Sequence, residues 1–216
     1  MIMESSQIQP LSEPEALKIV NDFYSKHGFE VHRIDTDKLP QGQKAPDFLA
    51  KNVENRFLCE VKAPRLVLDD VTKLYKWDTT FNKIRARIHT ATKQFREYDP
   101  KVTYPRVLVF TSNHPLLNWT SFVHNIVGAI KIEDNVIRDY NGKFFVKETT
   151  KELEYIDIYV WMQINYMNRR SIIEMSFYVS MKNAKDPIIQ KLLMSLKPYP
   201  EENIKRPNFG ALLKKL

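Results

Sequence analysis

The stretch that decides the fold is Lys44-Ala45-Pro46-Asp47-Phe48-Leu49-Ala50, followed after residues 52–55 by Arg56-Phe57-Leu58-Cys59-Glu60-Val61-Lys62-Ala63. Asp47 to Ala50 reads as a short strand, residues 52–55 as a turn, and Arg56 to Ala63 as a second strand closed by Pro64. Together they make a hairpin. The stretch holds the chain's one Pro-Asp dipeptide and its one Glu-x-Lys, with Asp47 and Glu60 thirteen residues apart. Side chains alternate along a strand, so Leu58, Glu60 and Lys62 share one face and Cys59 and Val61 the other. Cys59 is thereby expected as a small buried hydrophobe. Across the hairpin the carboxylate of Asp47 can meet that of Glu60. Two carboxylates pushed together repel, and the arrangement makes sense with a hard divalent cation between them. A lysine beside them can orient a water or offset developing negative charge. Metal, water and lysine together suit phosphodiester hydrolysis.

The flanking segments extend this hairpin into an α/β unit. Ser12 and Glu15 form a Ser-x-x-Glu capping box, which predicts a helix from Ser12 to the stop at His27-Gly28. Residues 29–34 alternate as a strand, and 35–44 read as a polar loop. Residues 65–80, with Asp69, Asp70 and Trp77, read as a long connection of the kind that serves as a lid or binding loop. From Lys83 to Tyr98 the apolar residues Ile84, Ile88, Ala91, Phe95 and Tyr98 are spaced 4, 3, 4 and 3, one stripe of a helix. Arg106 to Thr111 is a continuous apolar run that suits a strand buried on both faces. Residues 119–130 read as a further helix, 155–162 and 172–181 as strands, and Asp186-Pro187 as the start of a last helix through Leu196.

The layout of Pro46-Asp47, Glu60-Val61-Lys62 and the surrounding elements resembles the PD-(D/E)XK nuclease superfamily, the restriction-endonuclease-like fold. That family's core runs helix, strand, strand, strand, helix, strand, and the matching order covers residues 12–111. The resemblance implies a central mixed β-sheet flanked by helices. It implies Asp47 and Glu60 as ligands of Mg2+, with Mn2+ as substitute, the backbone carbonyl of Val61 as a further ligand, and Lys62 as the catalytic lysine. Many members carry a glutamine on the helix after the Glu-x-Lys strand, where Gln94 stands. Some use a glutamate on the first helix, where Glu15 is the candidate beside its capping role. The implied activity is a metal-dependent deoxyribonuclease, with DNA as partner. Many such nucleases act as dimers, so a homodimer is an open alternative.

Composition sets the bounds. The 216 residues fit a single domain, divided by this reading into a core (12–130), a strand-rich C-terminal elaboration (131–196) and a basic tail (197–216). With 43% hydrophobic residues the chain can build a core, and no apolar run is long enough to cross a bilayer. One cysteine excludes a disulfide framework or a cysteine-built zinc site within the chain, and no signal peptide is read, so a cytoplasmic location is expected. The net charge of +7 is concentrated: residues 83–96 carry Lys83, Arg85, Arg87, Lys93 and Arg96 with no acidic residue. These five are the candidates for neutralising phosphates along a nucleic-acid backbone. The tail adds Lys205, Arg206, Lys214 and Lys215. The five glycines are scattered and the histidines show no metal-ligand pairing, so nucleotide-cradling loops and histidine-zinc motifs find no support. Two rivals stand beside the nuclease: a non-catalytic nucleic-acid-binding module on the same fold, and an assembly protein whose 131–196 region forms an interface.

Overall fold

The computed structural model describes residues 9–65, 77–127, 129–132, 135–139, 147–167, 170–180 and 182–196. Helix α1 (Glu13–Lys26) starts at the expected capping box. Glu15 N–H donates to Ser12 Oγ, and Ser12 N–H donates to the Glu15 carboxylate at 2.8 Å. It ends at His27. Gly28 takes φ +80°, which lets Phe29 N–H turn back to Tyr24 C=O at 3.0 Å. Strands β1 (Glu30–Arg33), β2 (Phe48–Lys51) and β3 (Arg56–Lys62) form an antiparallel meander. Helix α2 (Trp77–Tyr98) crosses over to β4 (Arg106–Ser112), which lies parallel to β3. Helix α3 (Trp119–Val127), the small hairpin β5 (Ala129–Ile132) and β6 (Asn135–Asp139), and helix α4 (Lys147–Tyr155) follow. Strand β7 (Ile158–Met167) adds parallel to β4, β8 (Arg170–Val179) pairs antiparallel with β7, and α5 (Pro187–Leu196) closes the described chain.

The result is an α/β fold with a six-stranded mixed sheet of order β1-β2-β3-β4-β7-β8, flanked by helices. The alternation expected for β3 sorts its side chains into two cores. Phe57, Cys59 and Val61 join Val107, Val109, Val160 and Met162 beneath α1 and α5. Leu58 joins Leu108, Phe110, Tyr159 and Trp161 on the opposite face, covered by Ile84, Ile88, Ala91 and Phe95 of α2 and Phe122 of α3. Strand β4 is buried along its whole length, as its unbroken apolar run requires. The central tryptophan, Trp161, is an interior residue and packs on Phe110 and Phe122.

One polar pair sits inside this frame. Asp157 accepts from Arg106 N–H at 2.7 Å and from its guanidinium at 2.8 and 2.9 Å, clamping the start of β4 to the start of β7. The Arg106 guanidinium lies 4.2 Å from the centre of the Tyr155 ring.

Several element bounds change, among them the strand read over 172–181, which runs Arg170–Val179, and the strand read from Asp47, which starts at Phe48. Trp77 belongs to α2, so that helix begins six residues before Lys83 and the connection it follows is shorter than 65–80. The helix read over 119–130 ends at Val127, and Ala129 and Ile130 lie in β5, because Gly128 is a poor continuation for a helix. The strand read over 155–162 begins at Ile158, since Tyr155 completes α4. Asp69, Asp70 and the basic tail lie outside the described residues. Among the described residues no helix is long and apolar enough to cross a membrane.

Candidate active site

Asp47 lies one residue before β2, and Phe48 pairs with Cys59 in the antiparallel ladder, so Asp47 faces Glu60 across the hairpin. At this point side chains take over from the backbone ladder. Asp47 N–H donates to Glu60 Oε2 at 3.1 Å, and Val61 N–H donates to Asp47 Oδ2 at 2.8 Å. The two carboxylates are thus crossed over one another's backbone. The Lys62 ammonium, on the same strand face as Glu60, donates to Glu60 Oε1 and reaches Gln94 Oε1 at 3.3 Å. Gln94 Nε2 donates in turn to Ala45 C=O at 2.9 Å. Glu97, one turn on, accepts from Lys44 N–H at 2.9 Å through its carboxylate and from the Gln43 side chain at 2.8 Å through its backbone. Helix α2 therefore holds the loop that delivers Pro46-Asp47.

The cluster is dry. The side chain of Glu60 is 1% exposed and that of Lys62 13%. Burial raises the pKa of Asp47 above the usual carboxylate value, although the Val61 N–H and the Lys62 charge pull it down. Burial, and then the charge of Asp47, push Glu60 up to about 8, and the Lys62 ammonium offsets only part of this. Two carboxylates share more negative charge than this environment tolerates. Perturbation of this kind, by desolvation plus a specific charge partner, is a mark of functional sites.

The donor set fits a small, hard cation. Among the described residues no group of three or more His, Cys, Asp or Glu side chains converges, so the acidic side chains at the site are the two carboxylates of Asp47 and Glu60. Mg2+ is commonly bound by one or two carboxylates while keeping several waters and meeting substrate phosphates. The Val61 side chain is buried in the core under α1, which leaves only its backbone to serve.

The remaining expected residues divide. The Glu15 carboxylate is engaged by Ser12, and among the described residues no hydrogen bond or ion pair joins it to the cluster. On the same helix, the charge of Glu13 is the smallest of the influences on Asp47 and raises its pKa. The sequence held the signal for it: Ser12-Glu13-Pro14-Glu15 offers two acids, and the capping box consumes only Glu15. A cavity of about 540 Å³ adjoins this end of the sheet, lined by Ser12, Glu15, Arg65 and Asn113 among others. Asp47, Glu60 and Lys62 do not line it, so the site is defined by its hydrogen bonds rather than by this cavity.

The five cations of α2 do not form one face. At about 100° per residue, Lys83 and Arg87 fall within about 40° of each other and flank Gln94. Arg85 and Arg96 fall on the far side of the apolar stripe. There the Arg96 guanidinium lies 4.6 Å from the centre of the Tyr155 ring, and Arg85 feels the charge of Glu152. Lys93 pairs with Glu97 at 3.7 Å. Compared with protein-family models, with curated sequences and with solved structures, the chain matches none.

Proposed function

We propose that the chain is a divalent-metal-dependent nuclease that hydrolyses DNA phosphodiester bonds, on a core of the restriction-endonuclease-like kind. The observation that carries this reading is the convergence of Asp47, Glu60, Lys62 and Gln94, from the start of β2, from β3 and from α2, into one part-buried hydrogen-bonded cluster. The order helix, three strands, helix, strand around it, with β3 and β4 parallel, supports the same reading. Asp47, Glu60 and the Val61 carbonyl would hold Mg2+, with Mn2+ as substitute. When bound, the cation would polarise a phosphate oxygen and make a water more acidic.

The chain's own residues do the rest. The α2-held loop and the Val61 N–H fix Asp47, so its carboxylate needs little reorganisation to bind a cation. Gln94 fixes the Lys62 ammonium by accepting a hydrogen bond from it. In this reading that positive charge would offset the negative charge growing on the phosphoryl oxygens and orient the attacking water. The low exposure of Glu60 and Lys62 keeps bulk water from screening these charges.

The test is direct. The purified chain is incubated with linear, supercoiled, branched and single-stranded DNA in Mg2+, Mn2+ or EDTA, beside Asp47→Ala and Lys62→Ala. Cleavage in metal that disappears in EDTA and in both variants supports the proposal. Salt-sensitive binding by the wild type with no cleavage of any DNA favours the non-catalytic binding module.

A further inference from the structure

The basic residues of α2 are split by the helix into two sets with different surroundings. Arg85 and Arg96 lie toward α4, under the charge of Glu152 and over the ring of Tyr155. Lys93 is paired with Glu97. Lys83 and Arg87 are exposed, and neither has an ion pair among the described residues. Both stand on the helix face of Gln94, which touches Lys62. Arg87 lies ~10 Å and Lys83 ~16 Å from Gln94 along the axis, toward the start of α2. Because α2 is the crossover between the parallel strands β3 and β4, it runs against them. Moving from Gln94 to Lys83 therefore moves in the direction in which β3 leaves the sheet at Lys62.

We infer that Lys83 and Arg87 are the phosphate contacts of a DNA strand that runs along this face of α2 into the Lys62 cluster, whereas Arg85 and Arg96 fix α2 to α4. Exposed cations four residues apart on one helix face suit a sugar–phosphate backbone, whose charges repeat regularly along the strand. The ~6 Å between Lys83 and Arg87 along the axis is of the order of the separation of neighbouring phosphates. The inference rests on the nuclease reading for the destination of the strand, the Lys62 cluster, and on charge and geometry for the track itself.

Binding of a fluorescent DNA duplex, measured by anisotropy in EDTA over a series of salt concentrations, separates the two sets without requiring cleavage. Lys83→Ala/Arg87→Ala is expected to weaken binding roughly tenfold and to flatten the dependence of log K on log salt by about 2. Lys93→Ala/Lys101→Ala removes the same charge elsewhere and is expected to keep the wild-type slope. Arg96→Gln is expected to lower the Tm and leave the slope unchanged. A wild-type slope in Lys83→Ala/Arg87→Ala, or an equal loss in the charge-matched control, would overturn the inference. So would a lower slope in Arg96→Gln at unchanged Tm. The two readings fail separately. A wild type that cleaves in Mg2+ while Lys83→Ala/Arg87→Ala binds normally removes the track and leaves the nuclease. A wild type that binds through Lys83 and Arg87 but never cleaves removes the nuclease and leaves the track. A wild type that neither binds nor cleaves removes both.

Discussion

Glu60 is the residue on which the site's electrostatics turn. Its folded pKa, pushed up to about 8, lies above the ordinary value of 4.5, so between those values the folded chain binds more protons than the unfolded one. Stability then falls as pH rises through that window, by at most about 1.4 kcal/mol per pH unit for one proton. Asp47, also raised, acts in the same sense. In EDTA, thermal melting is expected to show a Tm that drops from pH 5 to pH 8. Glu60→Gln, which removes the buried charge and keeps the shape, should flatten that drop, and an equally steep drop in Glu60→Gln would remove Glu60 as its source. The pair itself was legible because alternation along β3 and the order of Pro-Asp and Glu-x-Lys place the two carboxylates opposite one another across the hairpin. The crossed hydrogen bonds were not legible. They depend on Asp47 sitting one residue outside β2, where its side chain replaces the ladder.

The elements were readable where local chemistry marks their ends. The capping box and Gly28 delimit α1, and the spacing of Ile84 to Tyr98 marks the buried face of α2. Glu15→Gln keeps an acceptor for Ser12, so cleavage and Tm should both stay near wild type, whereas Glu13→Gln should act on the site by removing a negative charge near Asp47. Comparing Mg2+ dependence of cleavage in the two variants checks this, and an equal effect of both would refute the distinction. The early start of α2 was readable too: Trp77 and Phe81 extend the spacing of 4, 3 and 4 backward from Ile84. By contrast α4 has no apolar stripe. Leu153 and Tyr155 pack against the core, but the rest of Lys147–Tyr155 is polar, so periodicity carries no signal there. The clamp at the start of the β4–β7 ladder joins Arg106 and Asp157, 51 residues apart, which no local pattern reveals. Arg106→Met leaves Asp157 buried without its cation and should cost about 3–5 kcal/mol in urea unfolding. A loss well under 1 kcal/mol would show that the clamp is not structural.

At the scale of the molecule, one sheet with two cores places the polar cluster at the C-terminal end of β3. One face of β3 supplies Leu58 to the α2 core and then Glu60 and Lys62 to the cluster, so a single alternation builds both packing and the candidate site. Helix α2 likewise serves twice, since its apolar stripe covers the sheet while its flank carries Gln94, Lys83 and Arg87. The positive charge read from the sequence is accordingly uneven in its use, and only the fold could divide it between the site's side and α4. The central claim is that Lys62 and the carboxylate pair form a hydrolytic centre. Its most direct measurement is the single-turnover cleavage rate of Lys62→Ala against wild type in Mg2+, on the same DNA and with folding checked by circular dichroism. The expected loss is roughly 10²–10³-fold, the scale set by removing one preorganised charge-stabilising donor. A folded Lys62→Ala that cleaves at the wild-type rate, or a wild type that leaves every DNA form intact, contradicts the claim.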